Sequence, residues 1–434
     1  MSRTALIGRN SIEYVEKLLD IWNHGDSAVL IDENMPLEII LKMIDDANAE
    51  KCFIEEAVFL KLNIPIKYQK KFISFKNESG PVVEFPSFLY EKFNAKYVDD
   101  EAVIIYSSGT TGKSKGIILT HKAINLNADS IIKYMNLDFN ECIYIIKSFT
   151  HSSTLVGELL VSLKRRIKLI ISPSIMHPRC ILNNIVMFNV TIMCLNPTLL
   201  ELLCYEYEKN KNLSIKSLKT IYSSGSILKK NLLNKAKIIF KNSNIYNVYG
   251  LSEAGPRVTA QTINYKNQNS VGCPIEGVSV IILDDNDRNT DNNQRGTIYV
   301  KTMSSFAGYV NGSYKNKSSL DGWINTGDIG YFDLNGELYI VGRQDEMIIM
   351  NSHKIYPYDI ENIIINNTNI SNCVITDVMI SGKSYLVCLY EGKKIDGLSI
   401  IKAIQNKLLP YEIPKLYFNC EKIQIGRASC RERV

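Results

Sequence analysis

Apolar residues recur at helical spacing near the start of the chain, where Ile12, Val15, Leu19 and Trp22 fall on one face of a predicted helix. A second helical pattern, PLEIILKMIDDANA, begins at Pro36, a residue suited to a first helical turn. Short apolar runs, SAVLID and KCFIE, follow the two helices and predict buried strands. This alternation of helix and strand predicts a parallel sheet joined by crossover helices.

The same alternation continues through the middle of the chain and then changes. Further strands are predicted at AVIIY, VTIMCL, LKTIYSS and NIYNVYG, and a helix at THKAINLNADSIIKYM. From about Gly272 short strands joined by Gly, Asp and Asn turns predict a small β-rich section at about 272–343. Beyond it, YPYDIENIII, CVITDVMI, SYLVCLYEG and GLSIIKAIQNKLL predict a compact α+β unit. We therefore expect an α/β fold with a large amino-terminal domain of helix-flanked β-sheets over residues 1–343 and a small α+β carboxy-terminal domain over 344–424.

Composition and charge narrow the class of protein. The 434 residues are 45% hydrophobic and 22% charged, with a formal net charge of +5, values close to those of an average globular protein. Basic residues are scattered, with one adjacent run at 164–166, so we expect no nucleic-acid partner. No apolar run reaches the ~18 residues that cross a bilayer, and the ten Cys form no CxxC pair. We expect a cytoplasmic protein with reduced thiols and no membrane span.

The last ten residues, IGRASCRERV at 425–434, differ from the rest of the chain. Three Arg fall among them, whereas the preceding sequence is rich in Asn, Ile and Lys. The segment is identified as the translation of a common sequencing adaptor, so we expect it to be an artefact, with a genuine basic tail as the alternative. On that interpretation the natural protein continues past Gln424, and the 344–424 domain is truncated here.

A loop rich in Gly, Ser, Thr and Lys, YSSGTTGKSKG at 106–116, follows the strand AVIIY and precedes the helix THKAINLNADSIIKYM. A P-loop requires G-x-x-x-x-G-K-[ST], and Ser107 stands here in place of the first Gly. Glycines let backbone N–H groups turn toward an anion, hydroxyls add donors, and lysine adds positive charge. The candidate phosphate ligands are Ser107, Ser108, Gly109, Thr110, Thr111, Gly112 and either Lys113 or Lys115. By itself the loop predicts either a nucleotide site or an ordinary surface loop.

The loop resembles the [YF]-[ST]-[SG]-G-[ST]-T-G-x-P-K-G signature of the adenylate-forming superfamily, which includes acyl- and aryl-CoA synthetases, nonribosomal peptide adenylation domains and luciferases. Ser114 stands where that signature has Pro. Three further motifs resemble those of the superfamily and follow in its order: NVYGLSEAG at 247–255, GWINTGDIGYFDLNGELYIVGRQDEMI at 322–348 and KIYPYDIEN at 354–362. The resemblance covers most of the chain and implies that the carboxy-terminal domain is mobile.

The resemblance implies a site for ATP and Mg²⁺. Glu253, with Ser107, would hold Mg²⁺ on the ATP phosphates, since a hard cation prefers oxygen ligands. Asp328 would accept hydrogen bonds from the ribose hydroxyls, and Arg343 would make a forked contact to the ribose or a phosphate. Tyr249 would stack on adenine. The other residues that the resemblance assigns to nucleotide binding are Ser224, Gly225, Ser226, Gly250 and Ser252.

The resemblance also implies a site for the acid. His151, in KSFTHSSTL, matches an aromatic-or-His position beside the acid pocket and would orient the carboxylate, with a purely structural histidine as the alternative. Members that activate amino acids place an Asp in this segment, and its absence favours a plain carboxylic acid, fatty or aromatic. Lys354 would lie near the nucleotide phosphate as a catalytic residue, and Asp345 matches the hinge position.

Two departures from the superfamily concern the second half of the reaction. Ser352 replaces a Gly that usually lets the backbone pass close to the incoming pantetheine thiol. The carboxy-terminal catalytic lysine of the superfamily is expected beyond Gln424 and is absent from this chain. We expect an ATP-dependent acid–thiol ligase that forms an acyl-adenylate, with CoA as the thiol. The alternatives are a free-standing enzyme that loads the phosphopantetheine of an acyl carrier protein, and a nucleotide-binding regulator without turnover.

Overall fold

The computed structural model describes residues 2–78, 80, 82–107, 114–173, 176–210, 213–310, 312, 322–350, 353–380, 383–421 and 423. Contacts between residues group the chain into two compact units. Unit 1 comprises Met1–Val280 with Tyr299–Ile324, and unit 2 comprises Ile281–Ile298 with Asn325–Val434. The expected boundary between residues 343 and 344 stays a prediction, because it concerns a hinge between moving bodies rather than the grouping of contacts.

The secondary structure follows the predicted alternation through the first part of the chain. The strands are β1 (Arg3–Ile7), β2 (Ser27–Ile31), β3 (Lys51–Glu55), β4 (Phe72–Phe75), β5 (Val83–Glu84), β6 (Glu101–Ser107), β7 (Lys115–Thr120), β8 (Cys142–Ile145), β9 (Lys168–Ile171), β10 (Ile192–Leu195), β11 (Thr220–Ser223), β12 (Asn244–Tyr249), β13 (Thr259–Ala260), β14 (Cys273–Pro274), β15 (Val278–Leu283), β16 (Gly296–Thr302), β17 (Gly308–Tyr309), β18 (Ile324–Phe332), β19 (Leu338–Arg343), β20 (Ile348–Met350), β21 (His353–Ile355), β22 (Asn372–Ile380), β23 (Lys383–Glu391) and β24 (Leu416–Cys420). The α-helices are α1 (Ile12–Asn23), α2 (Leu37–Asp46), α3 (Glu56–Lys61), α4 (Ile66–Gln69), α5 (Ser87–Lys92), α6 (His121–Met135), α7 (Ser152–Thr154), α8 (Val161–Arg165), α9 (Pro178–Met187), α10 (Pro197–Lys209), α11 (Lys230–Ile239), α12 (Pro357–Asn367) and α13 (Gly397–Ile404). A π-helix spans Leu155–Leu160, and 3₁₀ helices span Ser252–Ala254 and Gln344–Glu346.

Unit 1 contains two large sheets whose central strands are parallel. Within the described residues, the strands of the first sheet run in the order β17-β7-β6-β2-β1-β3-β4, and those of the second in the order β14-β13-β12-β11-β10-β8-β9-β5. In the first sheet β6, β2, β1, β3 and β4 are parallel, and in the second β12, β11, β10, β8 and β9 are parallel. Helices connect successive parallel strands, as expected for crossover connections. The predicted α/β fold of helix-flanked sheets is confirmed.

Helix α1 shows how the apolar pattern becomes structure. The side chain of Ser11 caps its amino terminus by accepting a hydrogen bond from Tyr14 N at 3.1 Å, which satisfies one of the unpaired N–H groups of a first turn. The residues predicted to share one face, including Val15, Leu19 and Trp22, are buried in the main core of unit 1. Trp22 Nε1 donates to the carbonyl of Ala102 in β6 at 2.8 Å, so even the polar edge of this ring has a partner.

The region after the Gly-rich loop differs from the prediction. The sequence predicted a helix directly after the loop, whereas β7 comes first and pairs antiparallel with β6, with Ser107 opposite Lys115. Thr120 then caps α6 by accepting from Ala123 N at 3.1 Å. Strands β6 and β7 therefore form an antiparallel pair on either side of the loop, and α6 begins at His121.

The helical segment from α7 to α8 changes its winding in the middle. Residues Leu155–Leu160 form a π-helix, and the flanking helices Ser152–Thr154 and Val161–Arg165 are α-helical. Every residue of the π-helical part is buried. π-helical turns are uncommon and often lie at functional sites. This one begins four residues after His151.

Unit 2 contains two of the smaller sheets and part of a third, whose strands β15, β16 and β18 each begin or end in unit 1. Among the described residues, the strands form a sheet of order β15-β16-β18-β19, a β20–β21 hairpin and a sheet of order β22-β23-β24. β22 and β23 pair antiparallel and β24 joins β23 in parallel. Helices α12 and α13 bury Ile360, Ile364 and Ile400 against the same apolar core as Ile375 of β22. The predicted α+β arrangement at the end of the chain agrees with this, as does the β-rich section before it.

His121, at the start of α6, predicts a pH dependence of stability. Its side chain is buried and lies edge-on to Trp22, with ring centroids 5.7 Å apart. Burial and the nearby Lys96 lower the pKa of His121 from 6.5 to about 4, against a weaker opposing effect of Asp100. The folded protein holds the imidazole neutral, so the unfolded chain gains a proton first as the pH falls below 6.5. Between pH 6.5 and pH 4 the free energy of unfolding should therefore fall by up to about 3 kcal/mol.

Urea unfolding followed by tryptophan fluorescence would measure this effect. Both tryptophans of the chain, Trp22 and Trp323, lie in unit 1, so the signal reports on the unit that contains His121. The variant His121→Gln removes the titration. Its free energy of unfolding should be lower than that of wild type at pH 7.5, and this difference should shrink as the pH falls to 4.5. A difference that stays constant over this range would show that His121 does not cause the acid sensitivity.

Two further expectations concern membranes and thiols. In the part of the chain that the structure describes, no helix is both long and apolar enough to cross a membrane. The described side chains also form no group of three or more His, Cys, Asp and Glu residues able to hold a metal ion. Such groups are not required for Mg²⁺ that is held by one or two carboxylates together with substrate phosphates. The described cysteines are free thiols, of which Cys180 and Cys273 are exposed.

Candidate active site

Two of the predicted nucleotide-binding segments lie at one edge of the second sheet. β11 leads into residues 224–226, and β12 ends at Tyr249, which precedes Gly250. Because β11 and β12 are parallel neighbours, their carboxyl ends open at the same edge, where ligands of α/β sheets usually bind. The amide of Ser224 donates to Leu195 O at 3.0 Å. The turn that follows β11 is therefore fixed against the end of β10.

Glu253 takes part in a chain of contacts that leads to the Gly-rich loop. Its Oε1 accepts a hydrogen bond from Tyr309 OH at 3.0 Å. The Tyr309 ring centroid lies 5.8 Å from Nζ of Lys115, a cation–π distance. Lys115 in turn pairs with Ser107 across the β6–β7 hairpin. The structure thus brings the two predicted magnesium ligands, Glu253 and Ser107, to the same part of unit 1.

The acid-side segment meets the nucleotide-side motif through two hydroxyls. Ser152 Oγ and Ser252 Oγ are 2.7 Å apart. Ser152 follows His151, and Ser252 precedes Glu253. His151 itself is exposed, and its carbonyl accepts a hydrogen bond from Thr154 N at 3.0 Å. The exposed imidazole therefore stands at the start of the α7–α8 segment, next to the Glu253 motif.

In unit 2 the predicted ribose-binding residues form an ion pair. Asp328 in β18 lies opposite Arg343 in β19, and Arg343 Nη1 donates to Asp328 Oδ1 at 2.9 Å. The same nitrogen donates to Thr326 O at 3.1 Å. Gly327 has φ +72°, and a Cβ there would lie 3.0 Å from Arg343 Nη2. A side chain at 327 would therefore be strained and would crowd the guanidinium, which explains the Gly of the T-G-D motif.

The same unit places the predicted hinge and lysine positions. Asp345 lies in the 3₁₀ helix after β19 and is 3.4 Å from Arg343 Nε. Lys354 in β21 is exposed and forms an ion pair with Asp285. An exposed pair of this kind is readily exchanged for another anion, because it contributes little free energy. The hinge role of Asp345 and the phosphate role of Lys354 stay predictions.

Several predicted residues lie outside the described part of the chain. They are Ser108, Gly109, Thr110, Thr111 and Gly112 of the Gly-rich loop, together with Ser352 of the thiol-tunnel segment. Their predicted roles rest on the sequence.

The structure adds two residues that the sequence did not identify. Tyr309 orients Glu253 from 56 residues away along the chain, and Ser152 contacts Ser252 from 100 residues away. No short motif signals either contact, since each depends on how β17 or α7 lies beside the 3₁₀ helix Ser252–Ala254. A hydroxyl directly after His151 was the only available hint for Ser152.

A pair of packed, mainly parallel sheets followed by a smaller α+β unit is the fold of the adenylate-forming enzymes. The o-succinylbenzoate coenzyme A synthetase of Bacillus subtilis, solved with ATP and magnesium ion, matches with a TM-score of 0.81 and 21% identity, covering 100% of this chain and 89% of that one. The sequence identity is too low for this match to show more than the fold.

The model of the AMP-binding enzyme family matches residues 2–310, and the chain belongs to this family. A long-chain-fatty-acid–CoA ligase of Bacillus subtilis (strain 168) is 29% identical over 327 residues, which are 73% of this chain and 58% of that protein. A 2-succinylbenzoate–CoA ligase of Bacillus mycoides (strain KBAB4) is 25% identical over 425 residues, covering 95% of this chain and 83% of that protein. The chain therefore spans less than two thirds of the first relative and most of the second.

Proposed function

We propose that this protein activates a fatty or aromatic carboxylic acid with ATP and transfers the acyl group to coenzyme A. The observation that supports it best is the 2.7 Å contact between Ser152 and Ser252. Ser152 follows His151 and Ser252 precedes Glu253, so this contact supports a site in which the substrate carboxylate and the phosphates of ATP would meet. The relatives described above are named CoA ligases, which favours CoA over a carrier protein as the acceptor.

The residues present fit a magnesium–ATP complex. Glu253 offers a carboxylate held in place by Tyr309 OH, and Ser107 offers a hydroxyl at the end of β6. These hard oxygen donors, few in number, suit Mg²⁺, which keeps several waters and substrate phosphates in its shell. Bound there, Mg²⁺ would neutralise charge on the phosphate oxygens.

The chemistry proposed for the first step is a displacement at phosphorus. An oxygen of the substrate carboxylate attacks the α-phosphorus of ATP, the bond from that phosphorus to the bridging oxygen breaks, and pyrophosphate leaves. Little covalent work falls to the protein, whose side chains hold the two reactants in line and stabilise the charge. His151 would orient the carboxylate, and Asp328 would hold the ribose through its hydroxyls.

In the second step a thiol attacks the acyl carbon of the adenylate, and AMP leaves as the new thioester forms. The acyl-adenylate is a mixed anhydride that water also attacks, so closure of the site would protect it. Asp345 is the residue about which we propose that the carboxy-terminal domain over 344–424 turns between the steps.

ATP–pyrophosphate exchange by the natural full-length gene product tests the proposal. The acids would include short, long-chain and aromatic carboxylates and a set of amino acids. We expect exchange that depends on a carboxylic acid and exceeds the rate with amino acids by at least about tenfold. CoA and a phosphopantetheinylated carrier protein would then be compared as acceptors.

Three outcomes would contradict parts of the proposal. Exchange driven by amino acids would overturn the substrate class. Acyl transfer to the carrier protein but not to CoA would favour the carrier-loading alternative. A folded protein that binds ATP but supports no exchange with any acid would favour a nucleotide-binding regulator.

A further inference from the structure

A buried cluster of charged side chains lies at the π-helix, away from the groups assigned to ATP. Arg257, four residues after Glu253, is 1% exposed, and Glu158 in the π-helix is 0% exposed. Glu158 Oε1 lies 3.0 Å from Nζ of Lys147, whose side chain is 12% exposed. These three side chains carry two positive charges and one negative charge. The cluster therefore has one positive charge in excess. A buried charge is costly unless an opposite charge balances it.

One nitrogen of Arg257 has no hydrogen-bond partner among the described residues. Arg257 Nε donates to Tyr134 OH at 3.0 Å, and Nη1 donates to Pro256 O at 3.3 Å. Nη2 is buried and has no hydrogen-bond partner within the described part of the chain, and the same holds for Nζ of Lys147 and for both carboxylate oxygens of Glu158. An unsatisfied buried donor on a charged group costs more than a neutral one. Nη2 therefore retains N–H donors for an anionic group of a ligand.

The neighbours of Arg257 do not remove this excess. Burial raises the pKa of Glu158 despite the opposing effect of Lys147 and Arg257, which can only reduce the negative charge that the cluster contains. The other polar groups that interact with Arg257, the phenol of Tyr134 and the thiol of Cys194, have raised pKa values because of burial. They are neutral at pH 7.

The position of Arg257 relates it to the acid site. Gly157, in the π-helix, has no side chain, and a Cβ there would lie 3.2 Å from Arg257 Nη2. Gly157 is six residues beyond His151 on one continuous helical segment, which is about 9 Å along a helix axis. The main chain of Arg257 is held by Asn127, whose Nδ2 donates to Arg257 O at 3.0 Å. The guanidinium is thus fixed about 9 Å along the helix axis from His151, where the reacting carboxylate is predicted to bind.

Aromatic side chains adjoin the guanidinium. The Tyr134 ring, whose hydroxyl accepts from Arg257 Nε, packs edge-on to Tyr222 with centroids 5.9 Å apart, and Tyr222 lies 5.6 Å from Tyr246. Tyr222 is in β11, directly before residues 224–226, which are predicted to bind the nucleotide. Arg257 is therefore linked to the sheet edge at which the predicted nucleotide site lies.

We propose that Arg257 binds a second anionic group on the substrate, so that the acid activated by this protein is a dicarboxylic acid rather than a simple fatty or aromatic acid. The inference rests on the proposed function and specifies its substrate class. One carboxylate reacts beside His151, and the other accepts hydrogen bonds from Nη2 of Arg257. Arginine suits this role because the guanidinium stays charged when buried and a charge-assisted hydrogen bond to a carboxylate is strong.

Matched sets of three acids test the inference on the natural full-length gene product. Each set has a dicarboxylic acid, its half-amide and the monocarboxylic acid of the same length, from malonate to octanedioate, with the benzenedicarboxylates against benzoate. In ATP–pyrophosphate exchange the best dicarboxylic acid should exceed both partners in kcat/KM by at least about tenfold. The half-amide separates charge from size, since it keeps the shape and loses the negative charge.

Variants assign the effect to Arg257. Arg257→Met removes the charge at similar length and should reduce the preference for the diacid to about one, mainly through KM. Arg257→Lys retains a cation without the fork and should keep part of the preference. Arg179→Met, an exposed arginine in α9, is the matched control and should keep the wild-type preference in full.

The outcomes distinguish this inference from the proposed function. Robust exchange with monocarboxylic acids and no preference for diacids would overturn the inference and leave the proposed function intact. No exchange with any acid would overturn the proposed function and the inference with it. A diacid preference that Arg257→Met retains would overturn the assignment to Arg257. If Arg257→Met does not fold, Arg257→Lys tests the assignment: a diacid preference lower than that of wild type supports it, and an unchanged preference overturns it.

Discussion

Replacing Glu253 by Gln should reduce ATP–pyrophosphate exchange by about 100-fold or more, since a carboxylate that organises a cation on the phosphates acts most strongly in the transition state. Glutamine keeps the size of the side chain and the acceptor for Tyr309 OH, which donates to Glu253 Oε1 at 3.0 Å. The fold should therefore survive. The measurement is exchange at saturating acid over a range of Mg²⁺ concentrations, with thermal unfolding as the test of folding.

Two further variants bracket this result. Glu276→Gln removes an exposed carboxylate of unit 1 that pairs with Lys133 and should leave exchange unchanged, because such surface pairs contribute little. Tyr309→Phe removes the hydroxyl that orients Glu253 and should cost less than Glu253→Gln, about tenfold. Exchange by Glu253→Gln at half the wild-type rate or more would contradict the assigned role.

Replacing Asp328 by Asn should raise KM for ATP by at least about tenfold, because a hydrogen bond from a ribose hydroxyl to a charged acceptor contributes about 1.5–3 kcal/mol. Asparagine also ends the ion pair in which Arg343 Nη1 lies 2.9 Å from Asp328 Oδ1. The guanidinium keeps its contact with Thr326 O at 3.1 Å, so local structure should persist. Initial rates over a range of ATP concentrations at saturating acid would measure the effect.

A carboxylate in the same unit provides the control. Asp377 is exposed in β22 and contacts Ser384 at 3.1 Å, so Asp377→Asn should leave KM for ATP unchanged. A smaller effect of Asp328→Asn on ATP than on deoxy-ATP would also be inconsistent with a ribose contact, since the deoxy analogue already lacks one of the two hydroxyls. Equal KM values for wild type and Asp328→Asn would remove Asp328 from the nucleotide site.

The elements that periodicity predicted are those whose packing is decided locally. Helix α1 follows from the spacing of its apolar residues, and β2 from a short apolar run that is buried at every position. The apolar residues of one helix face, or of the whole strand, are buried, so the element is predicted from the spacing of apolar residues alone. The ion pair of Asp328 and Arg343 could also be expected from the sequence, because the two residues lie on the two strands of one hairpin.

The parts that the sequence did not predict depend on long-range contacts. β7 was missed because its first two residues, Lys115 and Gly116, were treated as the end of the loop and the short apolar run at 117–119 was assigned to no element. Its antiparallel pairing with β6 identifies it as a strand. Tyr309 and Arg257 belong to no motif, and each acquires its role from a side chain on another element. The charge excess near Glu158 is likewise invisible in a net charge of +5, because it concerns which charges are buried together.

The π-helix of Leu155–Leu160 affects how this protein can change its length during evolution. A π-helical turn holds about one residue more than an α-helical turn, and each residue of an α-helix advances the direction of its side chain by about 100°. Loss of one residue between 155 and 160 with a return to α-helical winding would leave the directions of His151 and Leu163 nearly unchanged relative to each other, because the extra residue is the one that the wider turn accommodates. Loss of one residue from the α-helical part at 161–165 has no such compensation and would rotate the residues on either side by about 100°. In an alignment of true orthologues, single-residue gaps should therefore fall at 155–160 and not at 161–165.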